Sequence, residues 1–485
     1  METAESQQIV IIGGGISGLS AAYYLLRSAE AGGFPLRVLV IEREQRLGGK
    51  ICTDVVGEQH PFLLEGGPDA FLAQKPAATD LATDLGLAQQ LIGTSPAQPA
   101  TSILVHGRPR ALPEGLRLIT PTRLRPFLVS PVISPAGKVR MLLDLVNPAR
   151  RIPTDESLAA FVRARFGTEA LDRLAEPLLA GIYSADPEKQ SMLATFPQLR
   201  ALEDQYGSVI RGTRASSAAA PDAAGSQSRT SPFLTLQGGM GRLVQALADR
   251  LHGHIQTGRR VLRIVPSSRP LSHYQVELDD GTAVEAHSVI VAAPAFVAAE
   301  LIESWQPELS SKLRGIPYVS TGTISLGYRR ADIHRPFAGF GLVIPRRERR
   351  SLNAVTVCSD KFAGRAPSGQ VLLRVFFGGF RNQHLVDASD GSLLDLARRD
   401  LYDLMGIEVP PVFTRIYRWR QASPQYHVGH QDLVAEIARL SPPYLWLSGP
   451  AYYGVGIPDC VRQAKAAAEQ VVDQVLHHLD VSPAL

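Results

Sequence analysis

Two patterns of apolar residues alternate along the chain, and their order predicts the elements of the fold. Gln8 to Ile12 (QIVII) is a short, uninterrupted, β-branched run, as in a strand buried on both faces of a parallel sheet. Leu19 to Ser28 reads as a helix ending before the turn Gly32-Gly33-Phe34-Pro35, and Leu36 to Ile41 (LRVLVI) as a second buried strand. Strand, helix and strand in that order predict a βαβ unit. Residues 76–210 change character. Leu158, Phe161, Val162, Phe166, Leu171, Leu174 and Leu178 follow a helical spacing, which predicts a mostly helical region with proline-rich connections. From 233 to 300 strands return: Val261–Val265, then Tyr274–Leu278 with Asp279-Asp280-Gly281 as a hairpin turn, then Ser288–Ala293 stopped by Pro294. Thr323–Leu326 and Val371–Phe377 read as further strands, Tyr444–Ser448 as the last strand, and a helix runs from Pro458 onward. Residues 214–232, small and polar, read as a flexible surface loop.

Composition narrows the class. A length of 485 residues predicts two to four domains, and 45% hydrophobic with 20% charged residues is enough to bury sizeable cores. A net charge of +4 is too weak to argue for nucleic acid. Cys52, Cys358 and Cys460 are far apart and form no CxxC, so neither a disulfide framework nor a zinc site is expected. The twelve histidines show no metal-ligand spacing, so no metal is expected. Met1 to Gln8 is short and polar, without the features of a secretory signal, and no stretch of about eighteen apolar residues predicts a membrane span. A cytoplasmic protein is expected, with a peripheral contact at the cytoplasmic membrane left open.

The chemistry begins at Gly13-Gly14-Gly15-Ile16-Ser17-Gly18, a G-x-G-x-x-G motif placed between a strand and a helix, where it must lie to work. Gly13 allows a tight turn, Gly15 lets the backbone approach a pyrophosphate, and Gly18 lets helix and strand pack closely. The helix N-terminus then faces the phosphates with free N–H groups. Glu42 ends the second strand 24 residues after Gly18 (42 − 18). An acid there accepts hydrogen bonds from ribose hydroxyls and repels a 2′-phosphate, which disfavours NADP.

The stretch Glu42-Arg43-Glu44-Gln45-Arg46-Leu47-Gly48-Gly49-Lys50 (E-x-x-x-R-x-G-G-K) resembles the second signature of FAD-dependent amine oxidases and their relatives. More specific strings follow: Glu65-Gly66-Gly67-Pro68-Asp69-Ala70-Phe71-Leu72, Glu176-Pro177-Leu178-Leu179-Ala180-Gly181-Ile182-Tyr183, Thr195-Phe196-Pro197, Trp419 with Pro424-Gln425-Tyr426-His427-Val428-Gly429-His430, and Gly454 to Cys460. With these the chain resembles the protoporphyrinogen/coproporphyrinogen oxidase family, from about Gln8 to Leu479. The resemblance implies an α/β fold: a Rossmann-like FAD-binding domain of the amine-oxidase and p-hydroxybenzoate-hydroxylase kind, a mixed-sheet substrate domain and a helical insertion. The expected partition is 1–75, 233–300 and 440–485 for FAD; 76–110 and 301–439 for substrate; 111–213 for the helical part, a candidate membrane face; and 214–232 for the loop.

The implied reaction is oxidation of a porphyrinogen to a porphyrin in haem synthesis: six electrons in three flavin cycles, with O2 as acceptor giving H2O2. The cofactor carries the chemistry. No protein nucleophile is required, and later enzymes of haem synthesis are implied partners. The resemblance places Arg43, Arg46, Gly49, Lys50, Gly66, Gly67, Pro68, Asp69 and Trp419 on the cofactor side. It does the same for Val261 and Ala293, which as plain core residues would look alike, and for Val455, Gly456 and Ile457, where the last helix aims its N-terminus at the flavin. The FAD is expected to be non-covalent, because no cysteine aligns with the usual attachment point. The stretch Pro99 to Val105 lacks the arginine that anchors a propionate in the protoporphyrinogen type, and in this it resembles the bacterial coproporphyrinogen III type. Lys75 is a candidate propionate partner or a surface lysine. Tyr183 is a candidate for the porphyrin pocket or for packing. Glu65 reads either as a supporting acid or as a surface turn residue. The rival readings are protoporphyrinogen IX as substrate, an amine oxidase or desaturase, and a non-catalytic binder on the same fold.

Overall fold

The computed structural model describes residues 7–59, 61–95, 101–150, 152–219, 231–270 and 272–481. The first glycine motif sits on a five-stranded parallel sheet with Gln7–Ile12 at its centre. Leu36–Glu42 pairs on one side and Ser288–Val291 on the other, with Ile255–Thr257 and Leu445–Leu447 at the edges. Ile9, Val10 and Ile11 have no exposed surface, as an apolar run in the middle of a two-sided sheet requires. The first helix is longer than its apolar pattern indicates. It spans Ile16–Gly32, because it starts directly at the glycine turn, and it ends on Gly33 in the left-handed conformation (φ 66°). It packs against the C-terminal helix Ile457–Val481 in one apolar cluster under the sheet.

A second, seven-stranded sheet runs in the order Phe413–Pro424, Tyr318–Arg329, Gln370–Gly378, Ala354–Val357, Gly341–Val343, Thr101–Val105, Arg108–Ala111. It is antiparallel except where Gly341–Val343 meets Thr101–Val105. Here the expected mostly helical stretch 76–210 is corrected. Thr101–Val105 and Arg108–Ala111 are strands, joined by His106 and Gly107, both at positive φ (51° and 72°). Two such residues twist the chain back in the sense a tight hairpin needs. Residues 99 and 100 of the arginine-free stretch lie outside the described residues; Thr101 to Val105 pair with strand Gly341–Val343 and hairpin strand Arg108–Ala111.

The helical part holds one refinement and one further correction. The stretch Leu158 to Leu178 is helical, as its apolar spacing predicts, but not as one uniform helix. Instead Leu158–Phe166 ends at Gly167 (φ 89°), and Leu171–Ala180 winds as a π-helix with Pro177 inside it. Proline lacks the N–H that an α-helical ladder needs at that point. The expected loop 214–232 is shortened, since the helix Val209–Ala219 runs into its Ala-Ser-Ser-Ala-Ala stretch, where alanine favours helix. Residues 220–230 of that loop lie outside the described residues.

The helical part is pinned by buried charge. Arg165 is 1% exposed. It donates to Asp144 (Nε to Oδ1, 2.5 Å), to Glu203 (3.3 Å) and to the carbonyls of Pro148 and Gly207. Asp144 also accepts from Ser208 Oγ (2.6 Å) and Ile210 N (2.9 Å), and Arg150 bridges Glu203 and Glu156. Removing one partner of such a network leaves charges stranded in the core. Arg165→Met is therefore expected to lower unfolding free energy by about 3–5 kcal/mol, read from urea midpoints. A loss below about 1 kcal/mol would show that the network does not hold this part together.

Candidate active site

Three glycine segments converge at the C-terminal end of the parallel sheet. Gly13 has φ 112°, and a Cβ on Gly18 would overlap the Gly13 carbonyl oxygen. The first helical hydrogen bond is Leu19 N to Gly15 O (3.0 Å), so the N–H groups of Ile16, Ser17 and Gly18 have no partner within the helix. Gly48 N donates to Gly14 O (2.8 Å), which lays the second glycine pair against the first. A Cβ on Gly67 would overlap the Lys50 carbonyl, which brings in the third. In front of Gly15 the space stays open: the nearest heavy atom to an added Cβ is Gly49 Cα at 4.0 Å. The backbone thus forms an open cradle lined with free N–H groups, which fits the pyrophosphate of a dinucleotide.

The neighbouring residues hold this cradle in shape. Glu42 accepts from Gly14 N (2.6 Å) and Glu44 N (2.9 Å), bracing the turn while each oxygen keeps a lone pair. Arg46 donates to the carbonyls of Leu47, Gly49 and Ile51 (2.9, 2.5 and 2.8 Å), so it ties its own loop. Arg43 is exposed and pairs with Glu44 at 3.2 Å. Ala293 follows the strand Ser288–Val291, and its N lies 3.5 Å from the place of a Gly13 Cβ. Val261 is 7% exposed and pairs with Leu278 in the adjoining three-stranded sheet.

The Gly66 and Gly67 carbonyls are held from the seven-stranded sheet. Trp419 Nε1 donates to Gly66 O (2.8 Å), Thr323 Oγ1 does so at 3.3 Å, and Arg374 reaches both carbonyls. Pro68 and Asp69 follow directly. Burial alone would raise Asp69, but Lys361 at 2.8 Å, with Arg374 and Arg365, outweighs it and holds the carboxyl below its ordinary value. Lys361, Arg365, Arg374 and Thr323 escaped the sequence reading. The one signal was a charge inside an apolar strand, Arg374 in VLLRVFF. Glu65 is 5% exposed, which removes the surface-turn reading. It accepts from Thr53 Oγ1 (2.7 Å) and Met240 N (2.8 Å), and burial pushes it up to about 7.

The C-terminal helix closes the other side. Val455 and Gly456 lead into Ile457, and the helix's first turn meets that of the first helix where Cys460 approaches Ser17. Two helix N-termini therefore face one region, and their positive ends add. Lys50 Nζ donates to Ala422 O (2.5 Å); burial lowers the ammonium pKa, although the side chain still touches solvent, as in a residue lining an interior chamber. Lys75 is bound to Asp459 by both oxygens (2.8 and 2.7 Å), so it is neither a free surface lysine nor an unpaired cation. Tyr183 O accepts from Gln425 Nε2 (3.0 Å) and Ser423 Oγ (3.1 Å). Its ring lies 5.6 Å from Tyr426 and 6.1 Å from Phe196, and burial pushes its hydroxyl up to about 12. Tyr426 stacks on His430 (3.9 Å), donates to Pro450 O (2.7 Å) and accepts from Gly454 N (2.8 Å).

A family model described as flavin containing amine oxidoreductase matches residues 16–472. The chain belongs to this family. The fold is accordingly that of the flavin-dependent oxidoreductases, and the cofactor is a flavin. The coproporphyrinogen III oxidase of Bacillus subtilis (strain 168) is 34% identical over 473 residues, spanning 96% of this chain and 98% of its own. The enzyme of that name from Propionibacterium freudenreichii subsp. freudenreichii is also 34% identical, over 96% and 91%. Among solved structures, a protein provisionally named protoporphyrinogen oxidase from Exiguobacterium sp. 255-15 superposes with a TM-score of 0.84 at 31% identity, covering 97% of this chain and 99% of its own.

The geometry separates two glycines by mechanism. Gly15→Ala meets no protein atom closer than 4.0 Å, so it should fold normally yet lose flavin, whereas Gly18→Ala should lose both flavin and thermal stability. Flavin absorbance and unfolding temperature check this. A fully loaded Gly15→Ala protein would place the pyrophosphate elsewhere.

Proposed function

We propose that this flavoprotein oxidises a porphyrinogen to the porphyrin, with coproporphyrinogen III its substrate and O2 its acceptor. The observation that carries the reading is the meeting of two sequence strings on one residue. Glu176 to Tyr183 ends in Tyr183, and Gln425 and Tyr426 of the second string bind its carbonyl and flank its ring. A flat aromatic substrate side follows, next to the convergence of the glycine segments. The near full-length likeness to coproporphyrinogen III oxidases supports the choice of substrate, as does the lack of arginine in Thr101–Val105.

Bound FAD supplies hydrogen abstraction from the saturated bridges and passage of electrons to O2, giving H2O2 over three two-electron rounds. In this reading Gly13 to Gly18, Glu42, Gly49 and Lys50 hold its phosphate and ribose half. Gly66, Gly67, Pro68 and Asp69, kept rigid by Trp419 and Arg374, form the floor under the ring. Val455, Gly456 and Ile457 present the helix end that steadies negative charge. Arg46 shapes its loop, Val261 and Ala293 pack beside the adenosine half, and Arg43 contributes surface charge. Tyr183, kept neutral by burial, gives a ring face rather than a proton. Lys75 can take a propionate only by sharing or exchanging Asp459, so it serves first to fix the C-terminal helix. Protoporphyrinogen IX is the second reading, favoured by the name given to the Exiguobacterium structure.

FAD-loaded protein mixed separately with coproporphyrinogen III and protoporphyrinogen IX should give porphyrin fluorescence and peroxide, faster with the first by about tenfold or more in kcat/KM. Preference for protoporphyrinogen would reverse the substrate assignment. Oxidation of neither with flavin bound would overturn the reading, and a colourless protein that takes up no FAD would favour a binder.

The same fold carries a candidate membrane face. Val139, Leu143 and Val146 stand at i, i+4 and i+7, exposed at 62, 43 and 73%, beside exposed Leu128 and Val129 and the bases Arg123, Arg125 and Lys138. Among the described residues no helix is long and apolar enough to cross a membrane, so the contact proposed is peripheral. Vesicles rich in phosphatidylglycerol should sediment the protein, neutral ones less, and Val139→Ser/Val146→Ser should weaken it. Equal recovery in all supernatants would remove this face as a membrane contact.

A further inference from the structure

Away from the glycine cradle, between the loop 346–351, the segment 380–385 and the helix Asp390–Met405, lies a cavity of about 690 Å3. Asp186, Arg346, Arg349, Arg350, Arg381 and His384 line it. A second cavity of about 370 Å3 adjoins it and shares Asp186, Arg346 and Arg349, so these two arginines stand where the cavities meet. None of the residues that shape the glycine cradle lines either space.

The surrounding guanidinium groups are answered by carboxylates. Arg381 binds Glu176 (2.9 Å) and the Ile344 carbonyl (2.8 Å). Arg350 reaches Asp400 at 3.4 Å and Asp403 more closely, Arg163 pairs with Glu188, and Arg347 lies 3.7 Å from Asp172. Arg346 and Arg349 are looser: among the described residues neither side chain makes an ion pair or hydrogen bond, although Arg346, behind Arg163, helps to hold the Glu188 carboxyl below its ordinary value and Asp186 lines the same space. The loop that carries them is nonetheless fixed. Arg346 N donates to Glu176 Oε2 (3.1 Å), and Glu348 between them accepts from His106 N (2.9 Å) and Gly107 N (2.8 Å). Arg349 sits at φ 55°, a backbone state that a non-glycine residue adopts at a cost. Two guanidinium groups on a fixed loop, with no direct ion-pair partner, are therefore presented to a space of the size that takes an organic molecule rather than a single ion.

A guanidinium fork matches a carboxylate in shape and charge. Two forks three residues apart suit a ligand bearing more than one carboxylate on a broad frame. The cavity also borders the substrate side. Asp186 is three residues from Tyr183, at most about 10 Å along the chain, and Phe380 N, from the cavity wall, donates to Ser184 O (3.1 Å). We infer that this cavity is a carboxylate-binding site outside the flavin chamber, where Arg346 and Arg349 take propionate side chains of a tetracarboxylate tetrapyrrole on its way in or out. The inference rests on the porphyrinogen reading above. Substrate and product share the propionates, and the test separates them.

The test uses the full FAD-loaded chain with Arg346→Ala/Arg349→Ala and Arg346→Lys/Arg349→Lys. Both positions are exposed and unpaired, so folding should survive, with flavin content and unfolding temperature as controls. Coproporphyrin III is titrated by its fluorescence. The alanine pair should bind it about tenfold or more weakly, with a flatter salt dependence, and the lysine pair should recover much of the loss. Protoporphyrin IX, with two carboxylates, should lose less. A raised KM for coproporphyrinogen III in the alanine pair would assign the site to incoming substrate; relief of inhibition by added coproporphyrin III would assign it to departing product. Unchanged affinity for coproporphyrin III in a loaded alanine pair overturns this inference alone. A wild-type protein that oxidises neither porphyrinogen overturns the reading on which it rests.

Discussion

Everything at the candidate active site depends on peptide backbones touching where side chains would keep them apart. Gly18 lies on the Gly13 carbonyl, Gly48 on Gly14 and Gly67 on the Lys50 carbonyl. Gly48 joins the second segment to the turn that follows strand Gln7–Ile12, and Gly67 joins the third segment to the second, so the cradle is an intersection of three chain passes. The open space in front of Gly15 exists because the other glycines are filled against. Glu42, Trp419 and Arg374 then fix orientation by binding main-chain groups.

The parts legible in the sequence were those in which a local pattern has one physical meaning. QIVII could only be a buried strand, and a glycine motif between strand and helix could only be a turn facing a helix end. What escaped was set by distant partners. Nothing near Lys75 announces Asp459, 384 residues later. Nothing near Asp69 announces Lys361, and the role of Glu65 appears only once Thr53 and the Met240 amide stand beside it. The segment 171–180 was legible as helical, but its π winding around Pro177 was not.

The string Pro424 to His430, specific as it was, turns out to work through structure. Its tyrosine joins the Pro450 carbonyl to the Gly454 amide, its glutamine holds Tyr183, and its histidine stacks beneath. It couples the turn before the C-terminal helix to the substrate side. The helical part is fastened by a different physics, with Arg165, Asp144 and Glu203 satisfying one another out of water. One end of the molecule is thus ordered by contacts that require no side chain, and the other by charges that require each other.

The parallel sheet also dictates a timetable. Its central strand is made well before the strands that complete it: Ser288 pairs with Ile9, and Leu445 reaches the sheet only beside Val289. The helix that completes the cradle starts at Ile457 and ends at Val481. During translation the glycine turn therefore leaves the ribosome long before the segment that covers it, and the nucleotide site is complete only after residues 457–481 have been made. A product that stops before Ile457, however much of the sheet it contains, lacks the helix that closes the nucleotide site.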